Sequence, residues 1–383
     1  MSSQDILDDI QMSPRSSGRR ADVGRDRSGV ELNVVHGRVW DRHAAGFCDV
    51  VQEQTSRFTG ARWGAGRREA VTVSRNGEII GGAVIVLFRV PGSERGLAIV
   101  KWGPLWKRPD RAVDPRNFER IVAAIKREYV DRRGCFLSVL PHADPDHGAI
   151  VARVLERLGF THGAQLAHPE RYLVNVEIGP EDLRASLEQK WRYNLKKAEK
   201  NDFTAEFADP EDGLDRFMAL YEQMLGRKQF QDFSAIDTLP SLMRGSIEAH
   251  RPRIVLVHHD GAPTAGAVID TSGERAVYLY GATDHRALPL KAGYVMHWWI
   301  AEWLCRQPQI RWYDLGGSDG DKGLHQFKKG FVGKDGDIVE TPPAHNLSAD
   351  LVSDLIGRSI YAARNIKAVG AKTLHGIRER LGA

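Results

Sequence analysis

The stretch from Tyr313 to Phe331, YDLGGSDGDKGLHQFKKGF, contains groups that could bind an anionic ligand carrying a flat ring. The phenyl ring of Phe327 can stack on a base, and the ammonium of Lys328 or Lys329 can pair with a phosphate or a developing oxyanion. The glycine-rich loop before them is no Walker loop, because no Gly-Lys-Ser/Thr follows it. The alternative is a core phenylalanine followed by two solvent-exposed lysines.

A second basic segment, KWRYNLKKAEK, ends a predicted helix over residues 180–200. At about 100° per residue, one face of that helix is apolar. Asn194 projects onto the apolar side, where it either hydrogen-bonds a neighbouring strand end or lines a ligand cleft. The lysines form either a solvated face or a site for a phosphorylated partner. The predicted apolar face consists of Leu183, Leu187, Trp191, Leu195 and Ala198.

The elements around these segments repeat in order. Each half of the chain reads as a hairpin, a strand, a long helix and another strand. Asn76-Gly77 and Asp260-Gly261, each between apolar runs, predict the two hairpin turns. This order predicts a mixed α/β fold with two domains, each a central sheet flanked by helices.

The two ends of the chain differ from its middle in composition. Residues 1–30 are rich in Ser, Gly, Arg and Asp and are predicted to be a disordered tail. Residues 346–383 are predicted to form a basic helical tail, which either lies on an anionic membrane or packs on the second domain. The basic residues of that tail are Arg358, Arg364, Lys367, Lys372, Arg378 and Arg380.

The two motifs KWRYNLKKAEKNDF and YDLGGSDGDKGLHQFKKGF together resemble the FemABX family of aminoacyltransferases. The hairpin and Gly-Pro strand in NGEIIGGAVIVLFRV…VKWGPLW are similar to the first domain of that family. The resemblance covers about residues 32–345 and implies two tandem GNAT-like domains, over residues 31–168 and 169–345, with the donor site in the second.

The resemblance also implies an activity, which is transfer of an aminoacyl group from aminoacyl-tRNA to an amine of a peptidoglycan precursor. Phe327 and Lys328 match the family's Phe-Lys pair, so Lys328 is predicted to be catalytic and Phe327 and Lys329 to bind the donor. Asp314 is the candidate base, although a strand-end Asp often only bonds its own turn. The predicted acceptor-binding residues are Arg192, Asn194 and Lys197.

Two other functions remain open on the sequence. The first is acyl transfer from acetyl-CoA or another acyl-CoA to an amino sugar or an exopolysaccharide precursor. Against it, RALPLKAGYVMHWW opens the long helix where GNAT enzymes carry a glycine loop that holds pyrophosphate. Against the tRNA donor, the chain lacks the long coiled-coil insertion of some family members. The second open function is a non-catalytic GNAT-fold module that binds tRNA or anionic lipid.

Composition limits which compartments and which bound metals or cofactors the sequence predicts. Net charge is only +4 and the three cysteines are widely spaced, so no disulfide framework is predicted and a reducing compartment is favoured. No zinc motif is present, and no metal or cofactor is predicted beyond the donor. We expect a cytoplasmic monomer, with peripheral contact to the inner membrane face as one option, that meets a nucleotide- or lipid-linked precursor.

Overall fold

The structure, a computed structural model, describes residues 29–228 and 234–363. The predicted N-terminal tail lies almost entirely outside these residues, as do most basic residues of the predicted C-terminal tail. The described chain forms two seven-stranded mixed sheets, one in each half. This architecture confirms the predicted α/β fold.

The first sheet has the order β1-β2-β3-β4-β5-β14-β6. Its strands β4 and β5 are parallel, while the other neighbours run antiparallel. The last strand of the chain, β14, therefore lies inside this sheet. The strands are β1 (Val30–Val35), β2 (Arg68–Arg75), β3 (Glu78–Arg89), β4 (Gly96–Lys101), β5 (Phe136–Leu140), β6 (Thr161–His162) and β14 (His345–Leu347).

The second sheet has the order β13-β7-β12-β11-β10-β9-β8. Strands β11 and β12 form its parallel pair, which is joined through only three residues of each strand. The strands are β7 (Glu170–Asn175), β8 (Phe203–Phe207), β9 (Arg253–His259), β10 (Ala262–Asp270), β11 (Arg275–Thr283), β12 (Trp312–Asp314) and β13 (Asp337–Glu340).

Helices cover the sheets and bury their apolar faces. The helices are α1 (Gly37–Ala44), α2 (Ser56–Trp63), α3 (Pro115–Lys126), α4 (Gly148–Arg157), α5 (Gly179–Ser186), α6 (Gln189–Ala198), α7 (Asp212–Lys228), α8 (Leu239–Gly245), α9 (Ala287–Leu290), α10 (Ala292–Leu304), α11 (Lys322–Val332) and α12 (351–363). A π-helical turn (Arg127–Arg132) extends α3, and 3₁₀ turns cover Gln52–Gln54, Ala65–Arg67, Ile236–Thr238 and Glu248–His250.

Both predicted hairpin turns are confirmed. Asn76 and Gly77 connect β2 to β3 with φ of 52° and 83°, and Asp260 and Gly261 connect β9 to β10 with φ of 52° and 72°. Positive φ at both central residues is the requirement of a type I′ turn, which Asn-Gly and Asp-Gly satisfy at low cost. The turn residues thus set the register between the two strands of each hairpin.

The prediction of one continuous helix over residues 180–200 is wrong. The chain breaks between α5 and α6 at Leu187, whose φ of −55° and ψ of 149° are extended. The apolar positions are nevertheless all buried, from Leu183 to Ala198. The break was hidden because Leu187 stays on the buried side, so the period of apolar residues continues across it.

Helix α12 packs on the first domain, so the alternative that it packs on the second domain is wrong. The ring of Tyr361 packs edge-on against Phe136, with centroids 6.4 Å apart, and its hydroxyl donates to Ser138 at 2.8 Å. Arg95 pairs with Asp350 at 2.9 Å just before the helix. The helix follows β14 back to the first sheet, which fixes its position.

Two large hydrophobic cores lie under the two sheets, one in each domain. Trp298 on α10 belongs to the second core, and Trp299 and Trp303 pack against it, so these rings serve the core. In the described residues, no helix has the length and apolar character needed to span a bilayer.

Candidate active site

A pocket of about 490 Å³ opens between α6, α10 and α11 of the second domain. Both segments that the sequence singles out contribute to it. Its lining residues are Glu188, Lys190, Trp191, Asn194, Tyr294, Gly323, His325, Gln326, Phe327, Lys329 and Gly330.

Three aromatic rings form one wall of the pocket. The Tyr294 ring centroid lies 4.9 Å from Trp191 and 5.0 Å from Phe327, and Trp191 and Phe327 are 5.9 Å apart. Trp191 is held from behind by Phe331, with centroids 4.4 Å apart and planes 11° from parallel. The three rings are inclined to one another and packed together, so the wall is held in place by its own contacts, and the partly exposed ring of Phe327 is available for stacking.

The sequence left two roles open for Asn194, a hydrogen bond to a strand end or a place in a ligand cleft, and the structure agrees in part with each. Its side chain is buried, and its Nδ2 donates to the hydroxyl of Tyr294 at 3.0 Å, so its partner is a neighbouring side chain and not a strand end. It also lines the pocket. Asn194 thus holds Tyr294 in the aromatic wall.

Helix α11 divides the Phe-Lys-Lys segment between pocket and interior. The carboxylate of Asp321 caps the helix by accepting from the amide of Leu324 at 2.7 Å. Successive residues then point in different directions, so Phe327 and Lys329 line the pocket while Lys328 is buried. The alternative of two solvent-exposed lysines is wrong for Lys328.

Lys328 holds the loop that follows β12. Its Nζ donates to the backbone oxygens of Leu315 at 2.6 Å and Gly317 at 2.5 Å. Burial is the main cause that lowers the pKa of Lys328 to about 8, and the positive charge of Arg171 lowers it further. An ammonium with a depressed pKa, next to a pocket, is typical of functional lysines.

Asp314 lies fully buried beneath this loop. Its carboxylate accepts from Arg171 at 2.7 Å and from Arg275 at 3.3 Å, and its other oxygen accepts from the amide of Gly316 at 2.8 Å. Despite burial, the two guanidinium groups hold the pKa of Asp314 well below its usual range. A carboxylate paired in this way is a poor base, so the geometry favours the structural role.

The arginines that pair with Asp314 could not be found from sequence spacing. Arg171 is on β7 and Arg275 is on β11, and only the sheet brings them beside β12. Arg275 also donates to the backbone oxygen of Ala143 in the first domain at 2.6 Å. The loop below the pocket is therefore anchored to both domains.

Two of the three predicted acceptor-binding residues lie outside the pocket. Arg192 donates to the oxygens of Ala185, at 2.8 Å, and Leu187, so it satisfies carbonyl groups at the end of α5. Lys197 is exposed, with its Nζ 4.7 Å from the ring centroid of Tyr193. The structure brings Asn194 together with Phe327 and Lys329, but not Arg192 or Lys197.

Several pocket residues were not predicted. Glu188 immediately precedes α6. The sequence offered no reason to place it in a pocket, because the helix break beside it was not predicted. His325 lies on the opposite side, where its Nδ1 is 2.5 Å from the hydroxyl of Tyr172. Lys190 belongs to the basic segment, and neither Lys190 nor Lys329 forms an ion pair among the described residues. The pocket therefore combines an aromatic wall, two unpaired lysines and one carboxylate.

One group of residues in the described chain has the spacing for a metal ion, and it lies in the first domain at Asp144, Asp146 and His147. Asp144 is already paired with Lys107 at 2.6 Å, and Asp146 with Arg311 at 2.5 Å. Both carboxylates are thus neutralised by protein side chains, and the group supports no metal assignment.

Comparison with known proteins identifies the fold. Residues 184–329 match the family model described as an acetyltransferase (GNAT) domain, and they include every pocket-lining residue except Gly330. Among solved structures, FemX aligns with a TM-score of 0.69 at 17% identity, over 85% of this chain and 100% of that one. No curated protein matches the sequence.

Two further structures align less closely. The C-terminal domain of a protein described as a lysylphosphatidylglycerol synthetase, from Agrobacterium fabrum, has a TM-score of 0.52 at 13% identity and covers 85% of this chain and 97% of its own. A conserved protein of unknown function from Bacteroides thetaiotaomicron has a TM-score of 0.52 at 10% identity, with coverage of 83% and 98%. The predicted FemABX-like arrangement of two tandem GNAT-like domains, an acyltransferase fold, is confirmed.

Proposed function

We propose that this acyltransferase moves an aminoacyl group from aminoacyl-tRNA to an amine of a cell-wall precursor, with the donor's terminal nucleotide in the pocket of the second domain. The observation that carries the proposal is the pairing of an aromatic wall with two lysines, Lys190 and Lys329, that line the same pocket. The sequence resemblance to FemABX aminoacyltransferases and the likeness to FemX in fold support the same reaction.

The chemistry requires positioning more than covalent catalysis. An aminoacyl ester is already activated, so a neutral amine can attack its carbonyl carbon directly, and the ribose hydroxyl leaves. The ring of Phe327 can hold the terminal base by stacking, and Lys190 and Lys329 can pair with the phosphates next to it. Lys328 supplies a fixed positive charge in a low-dielectric region, where it stabilises the negative charge that develops on the oxyanion.

The attacking amine must lose a proton. Asp314 cannot accept it, because both of its neighbours are arginines in ion-pair contact. Glu188 is the carboxylate among the residues that line the pocket, and its side chain is solvent-accessible. We assign Glu188 the task of orienting the acceptor amine and receiving its proton.

A single transfer assay tests the proposal. The purified protein is offered labelled aminoacyl-tRNA with a peptidoglycan precursor bearing a free amine, and Glu188→Gln and Lys328→Met are measured beside the wild type. We expect transfer by the wild type, a fall in kcat for Glu188→Gln, and near-complete loss for Lys328→Met. Absence of any transfer from aminoacyl-tRNA with an amine-bearing envelope precursor would refute the proposal.

One observation favours a second donor, an acyl-CoA with an amino-sugar acceptor. Strand β11 runs to Thr283, but only Arg275–Val277 pair with β12. The later part of β11 therefore has a backbone edge that β12 does not use. An extended ligand with amide groups, such as the pantetheine arm of CoA, could pair with such an edge.

The same assay separates the two donors. Labelled acetyl-CoA with an amino sugar is run in parallel with the aminoacyl-tRNA reaction. Turnover with acetyl-CoA alone would select the second candidate, and the pocket of the second domain would then hold the acceptor instead of a terminal nucleotide.

A further inference from the structure

A positively charged surface lies outside the pocket, on the far part of α6. It consists of Lys197, Lys200, Lys291 and the ring of Tyr193, and is called the lysine surface below. The Nζ of Lys197 lies 4.7 Å from the Tyr193 ring centroid. Lys197 is the largest cause that lowers the pKa of the Tyr193 hydroxyl, and the charges of Lys291 and Lys200 lower it further. Tyr193 itself is 57% exposed.

The fold holds these residues together. Asn201, just after α6, donates from its Nδ2 to the backbone oxygens of Ala198 and Leu290, each at 3.2 Å. The bond to Leu290 ties the end of α6 to the end of α9, just before α10 begins. Lys291 follows at once with a left-handed φ of 60°, so the chain turns there and α10 begins.

No acidic side chain of the described residues forms an ion pair with the three lysines. Glu199, the nearest acid along the helix, is paired with Arg184 at 2.7 Å. Lysines on a solvated helix face usually have acidic partners at i±4, which cancel part of the field. Asp202 is the other exposed acid close in sequence, and it forms no ion pair with these lysines in the part of the chain that the structure describes. The lysines lie around the exposed ring of Tyr193.

The lysine surface continues into the pocket. The Nζ of Lys291 lies 5.8 Å from the ring centroid of Tyr294, which is part of the aromatic wall. Lys190, about two α-helical turns before Lys197, extends the positive charge along α6 to the pocket lining. A chain of phosphates leaving the pocket would therefore meet positive charge along α6.

We propose that the lysine surface binds the sugar–phosphate backbone of an RNA, the donor whose 3′ end occupies the pocket, and that Tyr193 stacks on one of its unpaired bases. The inference rests on the proposed function and extends it from the terminal nucleotide to the strand behind it. Alternating cations and exposed aromatic rings are the pattern by which proteins hold single-stranded nucleic acid. It also reassigns Lys197 from the acceptor to the donor.

The test compares a triple variant with a matched control. Lys197→Ala, Lys200→Ala and Lys291→Ala are combined in one chain. The control combines Arg75→Ala, Arg116→Ala and Arg153→Ala, which removes the same charge from exposed positions of the first domain. Binding of deacylated tRNA is measured against salt for both variants and the wild type. Aminoacyl transfer is measured from tRNA and from a short aminoacylated oligonucleotide ending in CCA.

We expect the triple variant to bind tRNA about tenfold or more weakly and to lower the slope of log affinity against log salt by about three, with the control unchanged. Its KM for tRNA should rise, while kcat and transfer from the short oligonucleotide stay at wild-type values. Equal tRNA affinity in the triple variant and the control would overturn the inference but leave the proposed function standing.

Two other outcomes also decide against the inference. If the wild type binds no tRNA and transfers nothing from it, the proposed function fails first and the inference falls with it. Leu288, 74% exposed beside Lys291, is the kind of side chain that a lipid surface would take up. Vesicles of phosphatidylglycerol and phosphatidylcholine are therefore tested too, and a loss of vesicle binding without a loss of tRNA binding would assign the surface to lipid.

Discussion

The two domains share a plan but differ in the size of one cavity that each encloses. In the first domain, the cavity at the ends of β4 and β5 measures about 50 Å³. In the second, the cavity against α11, the helix after β12, measures about 490 Å³. The same layout therefore supports one filled region and one open region.

Side chains explain why the first region is filled. The indole of Trp102 packs edge-on against His142 with centroids 4.9 Å apart, and Arg171 of the second domain lies 5.0 Å from the same indole. Arg171 then pairs with Asp314, and Arg275 joins Asp314 to Ala143. The first domain thus supports the loop that follows β12. One domain can therefore stabilise the loop next to the candidate site of the other domain.

The largest expected effect concerns this support. Asp314→Ala leaves the buried Arg275 and the partly buried Arg171 without their carboxylate, and it should lower the free energy of unfolding by about 3–5 kcal/mol. Because the folded-state pKa of Asp314 is depressed, the carboxylate stabilises the fold fully above the unfolded-state pKa of about 3.9. That stability is lost as pH falls through the folded-state pKa.

Urea denaturation of Asp314→Ala at neutral pH checks this. Asp319→Asn, in the exposed part of the same loop, is the control; it keeps a residue that tolerates the left-handed φ of 50° and should change stability by less than about 0.5 kcal/mol. If Asp314→Ala unfolds at the wild-type urea concentration, the first domain does not act through this carboxylate.

The next effect distinguishes Lys328 from its neighbour. Lys328→Met removes the buried positive charge and the two bonds to the loop, and it should lower kcat about 10²–10³-fold. Lys329→Met, on the pocket surface, should mainly raise the KM for the donor. Steady-state kinetics of the two variants, with folding checked by circular dichroism, make the test. A larger fall in kcat for Lys329→Met would reverse the two roles.

A third prediction compares the aromatic ring of Phe327, in the pocket of the second domain, with that of Trp102, in the small cavity of the first. Phe327→Ala should weaken donor binding by about 1–3 kcal/mol, because a stacking surface is lost. The donor KM should rise accordingly. Trp102→Ala should lower thermal stability and leave the donor KM unchanged. A donor KM that responds to Trp102→Ala as strongly as to Phe327→Ala would mean that the first domain also contacts the donor.

The smallest of these effects is a pH dependence. The pKa of Lys328 is lowered to about 8, so the ammonium that aids transfer loses its proton as pH rises through that value. Activity should therefore fall about tenfold per pH unit above about 8. In Lys328→Arg the guanidinium stays charged, so whatever activity remains should not decline over this range. A pH–rate profile with the same high-pH limb in both proteins would assign that limb to another group.

Sequence reasoning reached the elements that local chemistry determines. The hairpin turns at Asn76-Gly77 and Asp260-Gly261 and the apolar face from Leu183 to Ala198 follow from short-range rules. Phe327, a candidate from its residue type and from the family resemblance, lines a pocket. The resemblance to one family added the pairing of the two domains. These features depend on residues that are close in the chain or on motifs of fixed spacing.

What sequence reasoning missed depends on distant contacts. The extended residue at Leu187 does not interrupt the apolar period, so the helix break gave no signal. Asp314 was the candidate base because its partners, Arg171 and Arg275, come from other strands. Lys328 and Lys329 have the same chemistry in the sequence, and only the packing of α11 shows which of them is buried.

The position of β14 has a consequence for how the protein is made. Strand β6 is joined to the first sheet through β14, which comes almost two hundred residues later in the chain. A ribosome releases the chain from its N-terminus, and domains generally fold as they emerge. Here the first domain cannot finish its sheet until the second has been synthesised. A fragment that stops at residue 168 should therefore keep an unpaired strand edge on β5 and self-associate through it. The complete first domain forms only when the whole chain is present.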